Sequence, residues 1–551
     1  AVLSSKGMAS AWAAGYRALA ADADQHAPKP VVARRLLSQH GAAQPARGSR
    51  TMCRTPSFEN LFVDVSATAR SPASDLFLDS LIKHERQPLE SIDEAVGFAK
   101  SYLGKGSLIS SVFTLVASAM GAGCLSLPHM FRRTGLGLGV ILLACGAALA
   151  HVSLVVLMSC ARYTQCRSFA ELVRLSGARD ALGTAGGAGN RTIFVDVVIA
   201  LYGMAAVLIY LMLIGDFLAG IAESPVFGCG DVSRGAFITS SLLLLFPLSV
   251  PKSVTALRYI SILSTSSIAF MTLVVLAKTP GFLLEGSSDP APSGEYSAGE
   301  DVPGSVRWFA GDLQSTLQSF AIALFAFNAH TNAVPVAIAL QQPRAVRIWQ
   351  VSLLSVLIEF VVYLLIASAG YLSFRGATQQ DFIRNYPTDD TWMLIVRCVY
   401  SVPVVFGVPI NLSPAAASMQ ALARRALSGG EPRPTEGGCS GQKSSRSGAS
   451  HRSSDRALHV AIVAGVLGLC AALAIWCEAV ADVIGLFGGF FGTLICLAWP
   501  RQIYHGVLSK LHSKSLAVLL GSGLFAATCL GMLAFLAQAV EALTPLLKRI
   551  A

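Results

Sequence analysis

Two short stretches interrupt apolar runs with residues that a plain membrane helix does not need. The first is Ser118-Ala119-Met120-Gly121-Ala122-Gly123-Cys124-Leu125-Ser126-Leu127-Pro128. Its two glycines and following proline lower the cost of opening a helix where a lipid-facing one would be most regular. Backbone N–H and C=O groups freed at mid-membrane are tolerated only where they line a cavity within the protein and bind something polar. A half-helix beginning near Cys124 would aim its N-terminal amides, worth about half a positive charge, at a carboxylate. A small-residue contact between two intact helices is the plainer account of the glycines, and the proline counts against it.

The second stretch is Phe325-Ala326-Phe327-Asn328-Ala329-His330-Thr331-Asn332-Ala333-Val334-Pro335, again polar at its centre and apolar on both flanks. The two stretches fall in the first and sixth of the apolar runs. These are corresponding members of two five-helix halves, and a paired interruption of that kind points to a transport site. His330 reads either as a histidine hydrogen-bonded at the break or as a proton carrier. Glu359 lies midway along the seventh run, in Val356-Leu357-Ile358-Glu359-Phe360-Val361-Val362. A carboxylate costs about 2.5–3.5 kcal/mol there on insertion scales, so it should face inward and find a partner. Arg397 and the polar groups of the sixth-run break are the candidates. Glu359 reads either as part of a fixed contact between helices or as a site whose desolvation favours the neutral acid, letting it load a proton on one side and release it on the other.

The elements that must position these residues follow from composition. Of 551 residues 53% are hydrophobic and only 13% charged, against about a quarter charged in globular domains. The apolar residues gather into runs of about 18–25, enough to span ~30 Å of hydrocarbon as helix. We read eleven spans: 107–131, 136–160, 193–221, 235–251, 259–280, 313–339, 347–373, 391–421, 457–477, 483–500 and 515–539. The runs are continuously apolar and do not alternate, which excludes a β-barrel and leaves an all-α membrane protein with eleven transmembrane helices.

Alternate loops differ in charge. Those after spans two, four, six, eight and ten carry Arg162, Arg167, Arg174, Arg179, Lys252, Arg344, Arg347, Arg424, Arg425, Arg433, Lys443, Arg501 and Lys510. Their basic total is about twice that of the opposite loops, which places the N-terminus in the cytoplasm. Residues 1–101 and 428–455 lack a sustained apolar stripe and read as disordered cytoplasmic tail and loop. Within the tail, residues 75–82 could form a short amphipathic helix at the membrane. The first fifty residues carry seven Lys or Arg against Asp22 and Asp24, a mild likeness to an organellar transit peptide beside the plainer reading of a tail. A net charge of +10 suits tails facing an anionic leaflet. Nucleic acid is not an expected partner, because the basic residues lie in loops between spans. Twelve scattered cysteines form no disulfide framework or metal pair, and no cofactor is expected.

The motifs resemble those of the amino acid/auxin permease superfamily, and within it the sodium-coupled neutral amino acid transporter and vacuolar amino acid transporter branches. The matching stretches are Ser111-Val112-Phe113 with Gly121-Ala122-Gly123 and Leu125-Ser126-Leu127-Pro128, Tyr210-Leu211 through Asp216, and Phe325-Ala326-Phe327 with His330. They continue with Gly370-Tyr371-Leu372-Ser373-Phe374, Val408-Pro409 through Pro414, and Gly485 through Pro500. The resemblance covers residues 105–540 and implies a LeuT-type 5+5 inverted repeat plus one extra helix. In that arrangement residues 102–551 form the transporter domain, with repeats over 107–280 and 313–500 and the extra helix at 515–539. The resemblance also implies an L-amino acid substrate, its carboxylate near the amides of Ala122, Gly123 and Cys124. The amine would meet carbonyls around Met120 and Phe325 to Asn328, so Met120, Gly121, Phe325, Phe327 and Asn328 join the expected site. Tyr210 reads either as a cover for that site or as a packing tyrosine.

The chain also departs from the resemblance. Where sodium-coupled members have Asn in the first span and Thr in the eighth, this chain has Ala117 and Gly407. Neither offers sodium a side-chain oxygen; backbone carbonyls could still bind it, so sodium is demoted and not eliminated, and the proton is the favoured coupling ion. Pro414 is followed by Ala415-Ala416-Ala417 and not by the Arg often found there. Two other functions fit the same pattern less well: a nutrient sensor signalling through the tail, and a channel, which needs polar rings from several spans. A membrane enzyme is least supported, since no HExxH, GxSxG or paired catalytic carboxylates occur. No carboxylate lies in either interrupted stretch, which favours neutral over cationic substrates. The membrane is the plasma membrane or a vacuolar or lysosomal one.

Overall fold

A computed structural model describes residues 106–180, 187–228, 233–251, 257–285, 306–342, 344–427, 448–477, 479–509 and 514–550. The tail 1–101, the stretch 75–82, and Lys252, Arg433, Lys443 and Lys510 lie outside them. The first span is built of α1 (Leu108–Ala119), a 3₁₀ turn (Ala122–Ser126) and α2 (Leu127–Thr134), and α3 (Leu136–Thr164) is the second. α4 (Phe169–Asp180), α5 (Gly187–Ala222), α6 (Arg234–Ser249) and α7 (Leu257–Glu285) complete the first half. The second half holds α8 (Leu313–Ala326), α9 (His330–Ala339), α10 (Ala345–Phe374), α11 (Thr391–Leu427), α12 (Gly448–Trp476), α13 (Val480–Phe487) and α14 (Trp499–Val507). α15 (Lys514–Ile550) follows.

Among the described residues nine helices are long and apolar enough to cross a membrane, and α1 with α2 makes a further crossing bent by 53°. The expected fourth span, α6, has 16 residues, short of the ~20 that cross the hydrocarbon as straight helix. The loop expected to run to residue 455 gives way at Gly448, where α12 begins. Ser107 caps α1 by accepting from the Ser110 amide at 3.1 Å, and Asp312 caps α8 through the Ser315 amide at 2.8 Å.

Corresponding helices of the two halves pack as pairs: α1 on α9 and α2 on α8, α3 on α10, α5 on α11, and α6 on α12. The two broken spans run antiparallel and are tied at both ends by backbone bonds. At the end where α1 begins, Gln341 N donates to Gly106 O at 2.8 Å. Gly106 has φ +79°, and a Cβ there would lie 2.0 Å from Ala339 O, so only glycine fits. At the α2 end, Leu136 N meets Arg307 O, Gly137 N meets Trp308 O and Ala310 N meets Thr134 O, each at 2.8 Å.

Span ten is not a uniform α-helix. It widens into π turns at Gly488–Gly492 and Leu494–Ala498, a departure frequent at functional sites. There it is pressed between α8 and α15: a Cβ on Gly488 would lie 2.6 Å from Ala321 O, and one on Gly489 2.8 Å from Phe535 Cα.

Candidate substrate site

The two breaks meet at a cavity enclosing about 650 Å³ of empty space, its open mouth included. Its polar lining is Ser118, Tyr202, Tyr210, Ser264, Asn328, Thr331, Asn332, Tyr400 and Asn411, with Ala117, Met120, Gly121, Pro403, Val404, Gly407 and Ile410 between them. No lining side chain is charged. Ser118 in α1, Thr331 and Asn332 in α9 and Asn411 in α11 carry the cavity from the breaks toward the α1 end.

At the first break the Gly121 carbonyl accepts from Tyr400 Oη of α11 at 2.9 Å, and from the Cys124 amide and thiol at 3.3 and 3.1 Å. Tyr210 of α5 lies across the break. Its hydroxyl accepts from the Ala122 amide, and a Cβ on Gly121 would come within 2.6 Å of it. A Cβ on Gly407 would meet the ring of Tyr210 at 2.8 Å, so the ring is held between two glycines. The hydroxyl stands against one of the amides expected to receive a carboxylate.

At the second break the Ala326 carbonyl accepts from Tyr363 Oη of α10 at 2.8 Å. Asn328 donates from Nδ2 to Tyr202 Oη at 3.2 Å, while its buried Oδ1 has no hydrogen-bond partner. His330 is fully buried, with Nε2 2.6 Å from Ser153 Oγ of α3 and Nδ1 3.3 Å from Cys496 Sγ of span ten.

Beyond the first break, on the α2 side, the segment between α10 and α11 forms a cap around a short 3₁₀ turn (Phe382–Asn385). Arg397 of α11 holds it by donating to the carbonyls of Ile383 at 3.2 Å, Tyr386 at 2.8 Å and Pro387 at 3.4 Å. Asp381 accepts the Ile383 amide at 3.1 Å. Burial first, and then the nearby Asp216 carboxylate, push the Asp381 carboxyl up to about 7, against the pull of Arg384 and Arg397. Asp216 is 2.5 Å from Arg234 Nε and 4.0 Å from Arg384 Nη1. At the α1 end a second cluster joins Asp196 to Arg174 of α4 and, at 3.4 Å, to Arg425 of α11.

Of the residues expected at the site, Met120, Gly121, Tyr210 and Asn328 line the cavity. Ala122, Gly123 and Cys124 form the 3₁₀ turn beside it. Gly123 faces the second break, where an added Cβ would lie 3.1 Å from Ala326 Cα and 3.3 Å from Phe325 Cδ1. Phe327 packs edge-on against Tyr363 at 5.2 Å, inside the bundle. Phe325 is partly buried, beside Gly488. Glu359 is fully buried on α10 and neither carboxyl oxygen has a hydrogen-bond partner. Arg397, one of its expected partners, is instead committed to the cap, where three carbonyls, those of Ile383, Tyr386 and Pro387, converge on its guanidinium. Tyr202, Tyr400, Asn411 and Ser264 were not expected, since single polar residues in apolar runs carry no spacing signal. Thr331 and Asn332 stood within the quoted stretch of the second break.

The model of the family described as "Transmembrane amino acid transporter protein" matches residues 104–541. The chain is similar to a protein named as an amino acid transporter, AAT1, of Toxoplasma gondii, with 32% identity over 59% of this chain and 42% of that one. It is 28% identical to the sodium-coupled neutral amino acid transporter 7 of Danio rerio, over 56% of this chain and 63% of that one. It is 25% identical to the vacuolar amino acid transporter 5 of Schizosaccharomyces pombe, over 76% and 88%. The chain thus spans less than two thirds of the length of the first two relatives. Among solved structures, the nucleobase–cation symport transporter Mhp1 in a closed conformation gives a TM-score of 0.46 at 11% identity, covering 80% of this chain and 91% of that one. A manganese transporter of Eremococcus coleocola gives 0.47 at 10% identity, covering 79% and 87%.

Proposed function

The chain belongs to the transmembrane amino acid transporter protein family, and from that premise we propose that it is a secondary transporter carrying neutral L-amino acids across a membrane by alternating access, driven by protons. The observation that supports this most is a cavity at the junction of two helix breaks with only uncharged polar lining. A zwitterion suits such a site. Its carboxylate takes the amides of Ala122 and Gly123 once Tyr210 Oη yields the Ala122 amide, and that of Cys124 where it leaves the Gly121 carbonyl, and the helix N-terminus adds its partial positive charge. Its ammonium takes the open Oδ1 of Asn328 and the break carbonyls from Met120 and Phe325 to Asn328. An added charge on the substrate side chain would meet no countercharge, which selects neutral amino acids. The membrane is the plasma membrane or a vacuolar or lysosomal one.

Glu359 is the coupling group in this reading. A carboxylate with no cation beside it is costly in the membrane interior, so the protonated acid is the cheaper resting form and ionisation accompanies a change of surroundings. His330 has both ring nitrogens engaged and serves to pin α9 to α3 and span ten. A sodium-driven cycle is the second reading, favoured by the relative named as sodium-coupled. Against it, Ala117 and Gly407 both face the cavity and offer no side-chain oxygen.

The test is uptake by the full chain in proteoliposomes, with labelled neutral, cationic and anionic amino acids under imposed pH and sodium gradients. Accumulation of neutral amino acids under the pH gradient is expected, and replacing sodium by choline should leave it within about twofold. Glu359→Gln should abolish pH-driven accumulation yet keep counterflow exchange, which needs the cavity but no net proton movement. Saturable sodium dependence would overturn the proton assignment, and binding without exchange would favour a sensor.

A further inference from the structure

We propose that a proton reaches Glu359 from the α1 end along a polar ladder inside the bundle, entered at His151 and Ser352, and that this route is separate from the substrate cavity. The inference rests on the reading of Glu359 as the coupling group. It adds a second path through the protein and two residues that have no part in holding substrate.

The ladder starts from the pattern of α10. Ser352, Ser355, Glu359 and Tyr363 are spaced by three, four and four residues, which sets them on one face of the helix, a turn apart. All four are fully buried. Leu357, Val361 and Leu365 of the same helix are exposed, so the polar stripe faces the bundle and the apolar one the lipid. A span that needed only to pack would not bury a carboxyl and three hydroxyls along one line.

Each rung is anchored to a different element. His151 of α3 places Nδ1 2.9 Å from Ser352 Oγ, and its ring meets Trp349 edge-on at 5.8 Å. Ser355 Oγ bonds Val351 O at 2.7 Å and reaches Val112 O of α1 at 3.4 Å. Tyr363 donates to Ala326 O, the carbonyl released at the second break. None of His151, Ser352, Ser355, Glu359 or Tyr363 lines the substrate cavity. The two routes therefore converge only at the second break, the ladder through Tyr363 on Ala326 and the cavity through Asn328 two residues on.

The chemistry is proton relay alone. His151 takes a proton at Nε2 from water at the α1 end and releases one from Nδ1 to Ser352 Oγ. The Ser352 and Ser355 hydroxyls each accept one proton and pass on another, and one Glu359 oxygen gains it. The excess proton sits on one group at a time and none remains on the relay once Glu359 holds it, His151 then resetting its tautomer; each rung is about one helical turn from the next, a gap that hydroxyl rotation with one bridging water covers. The titratable groups that face this line are Tyr363 on α10, Cys124 of the first break, Tyr210 of α5 and His151 of α3. Burial, and no charged neighbour, dominates the surroundings of both His151 and Glu359.

The experiment compares pH-driven accumulation with counterflow exchange in the same proteoliposomes for wild type, Glu359→Gln, His151→Gln, Ser352→Ala and Ser352→Thr. His151→Gln and Ser352→Ala should slow pH-driven accumulation at least tenfold, toward the ~10²-fold that a positioned proton carrier contributes, with counterflow unchanged. Ser352→Thr, which keeps the hydroxyl, should restore it. If Glu359→Gln uncouples transport while His151→Gln and Ser352→Ala remain fully coupled, the ladder is overturned and the Glu359 assignment stands. If wild type shows no pH-driven accumulation, the coupling reading itself falls. Loss of counterflow in His151→Gln and Ser352→Ala together would show a packing role and overturn the ladder as well.

Discussion

The two helix breaks solve the same problem with partners from different places. Each leaves a mid-membrane carbonyl without its α-helical i+4 donor, and in each a tyrosine hydroxyl donates to it: Tyr400 to Gly121, alongside the Cys124 amide, and Tyr363 to Ala326. Tyr400 stands on α11, across the cavity, and a second tyrosine from the paired helix α5 leans over the same break. Tyr363 stands on α10, which packs with α3 and α1 inside the bundle, and His330 pins the following turn to Ser153. The freed carbonyl of the first break is therefore held from across the cavity, while that of the second is held from within the bundle, where only Asn328 reaches across, to Tyr202. On the proposed reading the first break holds the substrate carboxylate, and the second meets the ammonium and lies nearest the coupling group.

The most disruptive way to test that division is Gly123→Val. Its Cβ would press on Ala326 Cα, forcing the breaks apart while filling the space kept for the carboxylate. Uptake should fall by about a hundredfold or more with the protein still reaching the membrane. Normal uptake would remove the first break from the substrate site. A sharper and smaller contrast pairs Tyr400→Phe with Tyr363→Phe. The first should raise KM by about tenfold, the worth of one buried hydrogen bond of ~1.4 kcal/mol, since it loosens the break proposed to hold the carboxylate. The second should leave KM alone and lower the melting temperature by about 2–4 °C. Equal effects on KM would erase the distinction.

The smallest expected effect concerns the cap that roofs the first break and has no counterpart described at the second. Asp381, raised from the usual carboxylate range to about 7, binds more protons in the closed cap than in the unfolded chain. Its contribution is complete below the unfolded value near 3.8 and is lost as pH rises through about 7. Melting temperature should thus decline by about 2 °C between pH 5 and pH 8, and Asp381→Asn should flatten that decline. A steeper decline in the variant would reverse the assignment.

The breaks were legible because their signal is local: Gly121, Gly123 and Pro128, then Asn328 and His330 before Pro335, stand out against apolar flanks. The long spans were legible for the same reason. Tyr202 and Tyr400 were not, because a tyrosine within an apolar run looks alike whether it packs or caps a carbonyl 279 residues away, as Tyr400 does for Gly121. The π turns of span ten escaped because Gly488 and Gly489 widen the helix only in response to Ala321 and Phe535, which belong to other spans. α4 was read as loop, since its 12 residues are too short a run to span the membrane. Its Arg174 finds Asp196 only after folding. Arg397 was expected near Glu359, yet the carbonyls that hold it lie in a cap that no periodicity announces.

The backbone ties at both ends of the broken spans give the pair the mechanics of two rails joined by cross-pieces. With Gln341 fixed to Gly106 at one end, and Leu136 and Gly137 fixed to Arg307 and Trp308 at the other, neither rail slides along the other. The remaining freedom is flexure at the two gaps, and rails pinned at both ends flex together. A tilt imposed at the first gap is then delivered to the neighbourhood of Ala326 by the rigidity of the frame, with no relay of side chains between them.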